Sequence, residues 1–211
     1  MLDKYGGGVE HTWDFKSKLM GCTRQESSAM IVNHYHLPLT VQEYMDECAL
    51  LHKKIFPFVK PLPGVERLIH HLHANDIPMA VATSSTRSVY ELKTSLNKDL
   101  FSLFDLHVVC SDDPGIEHGK PSPDLFLAAQ QRLGNPPSEN CLVFEDAING
   151  IQAAQNAKMH AVWIPDNNLL KILDSSPDSY GASVVLDSMT AFDPKVFSLP
   201  EFDNDDKTQQ E

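Results

Sequence analysis

Apolar residues recur along the chain with two different periods, and the change between them divides it. Up to about Phe58 the spacing is helical. Thr23-Arg24-Gln25-Glu26 and Thr40-Val41-Gln42-Glu43 each set a threonine three residues ahead of a glutamate. That is the signature of a reciprocally hydrogen-bonded helix start. The second opens a helix whose apolar stripe takes in Tyr44, Cys48 and Leu51. It should stop near Phe56-Pro57, because a residue before proline avoids helical geometry. Residues from about Thr12 to Phe58 therefore read as a small all-helical unit.

After Pro61-Leu62-Pro63-Gly64 the pattern alternates. Val65, Leu68, Ile69 and Leu72 keep helical spacing. Ile77 to Ala82 is then a short continuous apolar run ending in Thr83-Ser84-Ser85, as in a strand buried on both faces. A helix is expected from about Ser88 to Leu96, and a strand from Leu106 to Cys110. Ser122-Pro123-Asp124 opens another helix, with Ser122 as cap and Pro123 in first position. That helix ends at Gly134. Leu142 to Phe144 forms a strand, Ile148 to Ala157 a helix, His160 to Ile164 a strand, and Ser183 to Leu186 a last short one. Strands alternating with helices imply an α/β, Rossmann-like parallel sheet covered on both faces, with the helical unit beside it.

Composition narrows the function. Of 211 residues, 42% are hydrophobic, enough for a sizeable core. No apolar run approaches the length of a membrane span. The four cysteines are scattered without a CxxC pair, which reads as reduced thiols in a cytoplasmic protein. A net charge of −12 disfavours nucleic acid as a partner.

In parallel sheets ligands bind beyond the carboxyl ends of the strands. Thr83-Ser84-Ser85, Asp112-Asp113, Glu145-Asp146 and Asp166 fall at such ends, and Lys120 lies just ahead of a helix in HGKPSPD. Hydroxyls and backbone amides can hold phosphate oxygens, and a lysine can neutralise charge that moves during transfer. Paired carboxylates offer hard oxygen ligands to magnesium, which would offset their mutual repulsion. Alone, each group has a plainer reading as a helix cap, a solvated lysine or acids at a helix start. His70, His71 and His73 cluster on one predicted helix, and His70 with His73 could share a face, yet no acid or cysteine stands at ligand spacing. His118, beside Lys120, reads as a loop residue.

PMAVATSS, HGKPSPDLF and CLVFEDAINGIQAA resemble the second, third and fourth motifs of the haloacid dehalogenase-like hydrolase superfamily, in its helical-cap phosphatase branch. The resemblance implies that Thr83 binds phosphoryl oxygens and that Lys120 stabilises the phosphoryl charge. Glu145 and Asp146 would ligate Mg2+, and Ser84, Ser85, Thr86 and Arg87 would border the substrate. It implies a small phosphorylated metabolite, such as pseudouridine 5′-phosphate, hydrolysed by a monomer without membrane attachment. A sugar phosphomutase shares these motifs. A non-catalytic phosphate-binding protein could keep the pocket.

The family's first motif, DxDG at the end of a first strand, supplies the nucleophilic and acid/base aspartates. No DxD precedes the helical unit: Asp3 follows no apolar run, and Asp14 falls within cap sequence. The resemblance then implies residues 1–58 as a partial, N-terminally shortened cap and 59–198 as a core lacking its central strand. Residues 199–211 would be a disordered acidic tail. The expected result is a gap between the strands ending at Thr83 and Asp146, weak magnesium binding, and an inactive chain. Lys158 stands where the family has glycine after the fourth motif; if that position needs a left-handed backbone, lysine there costs about 1 kcal/mol.

Overall fold

The computed structural model describes residues 1–20, 22–104, 106–173 and 180–202. Its helical unit contains α1 (Leu2–Tyr5), α2 (Trp13–Leu19), α3 (Arg24–His34) and α4 (Val41–Ile55). Both capping boxes form. The Thr23 amide donates to the Glu26 carboxylate at 2.9 Å, and the Thr40 amide to that of Glu43 at 2.8 Å. Val32, Leu37 and Tyr44 make this unit's own apolar cluster. Leu51, expected on the inner stripe, is exposed instead. At Pro57 the chain leaves α4 through a single 3-10 turn, Phe56–Phe58.

The core runs α5 (Val65–Ala74), β1 (Val81–Thr83), α6 (Arg87–Thr94), α7 (Lys98–Ser102) and β2 (Val108–Cys110). It continues through α8 (Asp124–Arg132), β3 (Leu142–Glu145), α9 (Ile148–Asn156), β4 (His160–Trp163), α10 (Asn167–Ile172) and β5 (Val184–Val185). Helical crossovers between successive strands make every ladder parallel. Gly64 turns the chain into α5 with φ 87°, where a Cβ would stand 2.7 Å from the Thr190 amide nitrogen.

The ladders form two sheets. β1 pairs with β2, matching Val81 to Val108. β3 pairs with β4, matching Leu142 to His160, and β4 pairs with β5. Among the described residues no ladder joins β1 to β3. A groove of about 670 Å³ lies between them, lined by Met79, Ala80, Ala82, Leu142, Phe144 and Phe126. The expected central gap is therefore present.

Several boundaries differ from expectation. Pro78 to Ala80 stay outside the β1 ladder, as proline has no amide hydrogen to give and β1 has a partner on one edge only. Leu106, expected in β2, is 88% exposed, and the strand starts at Val108. Ser122 does not cap α8. It donates to the Asp124 carboxylate, which also accepts the Glu117 and His118 amides, so the acid organises this loop. The expected tail begins too early. Leu199 and Phe202 pack against the core beside Leu68 and Leu72, and Arg67 lies 4.0 Å from the Phe202 ring. The rest of the expected tail, residues 203–211, lies outside the described residues. Lys158 does adopt a left-handed φ of 59°.

Candidate active site

Thr83 ends β1, and its Oγ1 accepts the Ser85 amide at 3.1 Å. This bends the chain so that Thr83, Ser84 and Ser85 form a half-buried, hydroxyl-rich turn ahead of α6. Thr86 precedes the first residue of that helix without a capping bond; its Oγ1 lies 3.3 Å from Ser88 Oγ. The α6 start is held from another element: Asp112, just past β2, accepts the Arg87 amide at 2.7 Å.

Arg87 was expected to border substrate. Its guanidinium instead reaches both Asp113 oxygens, at 2.8 and 2.7 Å, and the Val108 carbonyl at 2.8 Å. Arg132 of α8 joins the same carboxylate at 2.7 Å. Burial alone would push the Asp113 carboxyl up. Hydrogen bonds from Arg87, the Cys110 amide and Arg132 overturn this and hold it below the usual carboxylate range. The Arg87–Asp113–Arg132 cluster thus clamps α6 and α8 to β2, which accounts for the Arg87 side chain without substrate.

Lys120 and Glu145 are brought together. Their side chains, 9% and 8% exposed, form a direct ion pair. Nζ of Lys120 also donates to the Ala82 carbonyl at 3.3 Å and stands 4.7 Å from the Phe126 ring centre. One ammonium therefore touches the end of β1 and the end of β3, across the mouth of the groove. The amides of Asp146 and Ala147 donate to Glu145 Oε2 at 3.2 and 3.4 Å. Gly150 makes room for this carboxylate: a Cβ there would fall 2.1 Å from the Glu145 carboxyl carbon.

Asp146 is exposed, and among the described residues no hydrogen-bond donor holds its carboxylate. Its carbonyl accepts the Trp163 indole at 3.0 Å, which fixes the backbone and leaves the side chain free. The donor chemistry suits a hard cation such as magnesium, but Asp146 is the free ligand, while Glu145 already carries Lys120 and two amides. Among the described residues, those that do cluster at ligand distance are Cys110, Asp112 and Asp113. There Asp113 is taken by two arginines, and burial pushes the Cys110 thiol up to about 11.

The histidines take the plainer reading. His71 is buried, and its Nε2 lies 2.8 Å from the Pro200 carbonyl oxygen, while His70 and His73 are exposed. His118 is an exposed loop residue, 3.4 Å from Asp124. Lys93 of α6 escaped the sequence reading. It reaches Ser85 Oγ at 3.1 Å. The available signal was its place on the helix, one turn after Val89 and Tyr90, where an apolar side chain would be usual.

The helical unit sits over these strand ends. Asn149, just after β3, donates to the Met20 carbonyl at 3.0 Å, and the α carbon of Gly119 faces Thr23. No helix among the described residues is long and apolar enough to cross a membrane.

Residues 26–158 match the family model for haloacid dehalogenase-like hydrolases. The chain is 39% identical over 203 residues to a Drosophila melanogaster protein named "Probable pseudouridine-5'-phosphatase", covering 96% of this chain and 85% of that protein. It is 38% identical over 196 residues to (DL)-glycerol-3-phosphatase 2 of Arabidopsis thaliana, covering 91% and 79%. Among solved structures it resembles a family IA, variant 3 hydrolase from Entamoeba histolytica, with TM-score 0.69 and 24% identity over 90% of this chain and 84% of that one.

Proposed function

The chain belongs to the haloacid dehalogenase-like hydrolases, and we propose that its strand-end site is the phosphate-holding and charge-stabilising half of a phosphatase for small phosphomonoesters. The buried Lys120 carries this reading. It spans the ends of β1 and β3, and a lone surface lysine would have neither the burial nor the two-sided contact.

The hydroxyls of Thr83, Ser84 and Ser85, with the backbone amides around them, would take up phosphoryl oxygens. Lys120 would oppose the charge that builds on the phosphoryl group, and Glu145 keeps that ammonium aimed. Magnesium held at Asp146 would supply further charge neutralisation, Glu145 being engaged by Lys120 and two amides. Transfer in this family starts when a carboxylate oxygen attacks phosphorus and expels the alcohol, giving an acyl phosphate that water then hydrolyses. The sequence contains no DxD ahead of the helical unit to provide that carboxylate. The open groove between β1 and β3 also supports a second reading, phosphate binding without turnover.

A three-way assay separates these readings. It compares the chain, the chain with a family-like first strand and DxDG added, and that version carrying Lys120→Ala. Pseudouridine 5′-phosphate and glycerol 3-phosphate are supplied with magnesium. Turnover is expected only in the second, with the third lowered about 100-fold or more. Turnover by the unmodified chain that Lys120→Ala abolishes would remove the need for an added carboxylate. An inactive second protein that still binds phosphate would favour the binding role.

A further inference from the structure

A phosphomonoester near neutral pH carries up to two negative charges, and the charge of Lys120 is already matched by Glu145. A dianion taken up beside them needs another cation. One stands at the hydroxyl turn itself. Lys93 projects from α6, half-buried, with Nζ 3.1 Å from Ser85 Oγ and 5.0 Å from the Phe56 ring centre. Ser85 belongs to the strand end, and Phe56 belongs to the turn that closes the helical unit. The ammonium therefore lies where the two units meet.

The groups that touch it carry no charge: the Ser85 hydroxyl and the Phe56 ring. His52 stacks on Phe56 at 4.1 Å, and burial, then the charges of Arg24 and Lys93, keep its imidazole pKa low. Among the described residues no carboxylate lies within 4.0 Å of Lys93. Burial lowers the Lys93 pKa, and the charge of Asp146 offsets this only in part. A lysine free to extend would put its head in water. This one is held against a hydroxyl and an aromatic ring, in a chain of net charge −12, without a matching acid.

We propose that Lys93, with Ser85, is a substrate-binding cation that takes the phosphate of the small phosphomonoester alongside Lys120. The assignment rests on the phosphatase-site reading above. It goes further by naming which cation neutralises the bound dianion.

The test uses the whole chain and inorganic phosphate, with affinity read by calorimetry. Lys93→Met and Lys93→Gln are each expected to weaken binding about tenfold or more. Lys195→Met, a surface control far along the chain, should leave it unchanged. In the unmodified chain, the Lys93 side-chain NMR signal should shift as phosphate is added, a readout that needs no variant to fold. Wild-type binding of phosphate with no Lys93 shift, or equal affinity in both Lys93 variants, overturns the assignment. Absence of phosphate binding by the unmodified chain overturns it as well. Lys120→Met separates this result from the broader reading. Affinity lost there but kept in the Lys93 variants leaves the phosphatase site standing and removes Lys93. Affinity unchanged in all variants removes both.

Discussion

The strands that face the groove and the strands outside them invert the usual order of burial. In a doubly covered parallel sheet the inner strands are the driest. Here β1 is half-buried at all three positions, and β3 is buried only at Val143. Their outer partners are sealed: β2 is buried throughout, and Ala161, Val162 and Trp163 of β4 are completely buried. Hydrophobicity does not separate the two sets, since MAVA and LVF are as apolar as VVC and AVW. Neighbours do. The strands bordering the groove stay half-exposed, while β2, though paired on one edge only, is covered by Leu100 and Phe104 on one face and by Leu125 and Ala129 on the other.

The two halves are also secured differently. The β3–β5 half rests on a dry cluster of Ile151, Ala153, Ala154 and Trp163 under α9 and α10. The β1–β2 half has its own apolar cluster around Leu100 and Phe104, but its helices are tied to it by ions as well, through Asp113.

The contrast predicts unequal costs. Trp163→Ala should destabilise by about 3–5 kcal/mol, while Val81→Ala, at the groove, should cost only about 1 kcal/mol. Denaturant unfolding measures both, and equal losses would mean that β1 is as well packed as β4. Asp113→Asn comes next, at about 2 kcal/mol, because it leaves two arginines without their shared carboxylate. Its pH dependence has a definite sign. The native carboxyl pKa lies below the ordinary 3.8, so this stabilisation is whole above that value and fades as pH falls through the native pKa. Thermal melts of wild type and variant should converge in acid. The smallest effect is a gain. Lys93 has its native pKa depressed below 10.5, so at neutral pH the fold bears a desolvated charge. Lys93→Met should raise stability by less than about 1 kcal/mol. The gain should shrink as pH climbs from the native pKa towards 10.5, where the folded wild type has shed that proton.

Local and periodic features were legible in the sequence: both capping boxes, the order of strands and helices, the strand ends that carry Thr83, Glu145 and Asp146, and the place of Lys120 ahead of a helix. These depend on near neighbours or on a strict repeat. The misplaced features depend on distant partners. Arg87 faces Asp113 because β2 ends beside α6, and Leu199 to Phe202 stay ordered because α5 offers them an apolar face. Neither partner lies within reach of a local pattern. Glu145 and Lys120 were both singled out, yet their pairing with each other emerged only in three dimensions.

The groove also bears on how long such a chain survives. Unpaired parallel edges are templates for any extended polypeptide, including another copy of the same chain. Two features blunt them. Pro78 can give no amide hydrogen at one end of the β1 edge, and Asp146 places an exposed carboxylate just past the far end of β3. Between those guards the backbone stays open. Such an edge exposes the chain to strand addition from outside as well as to unfolding from within, two separate routes to loss.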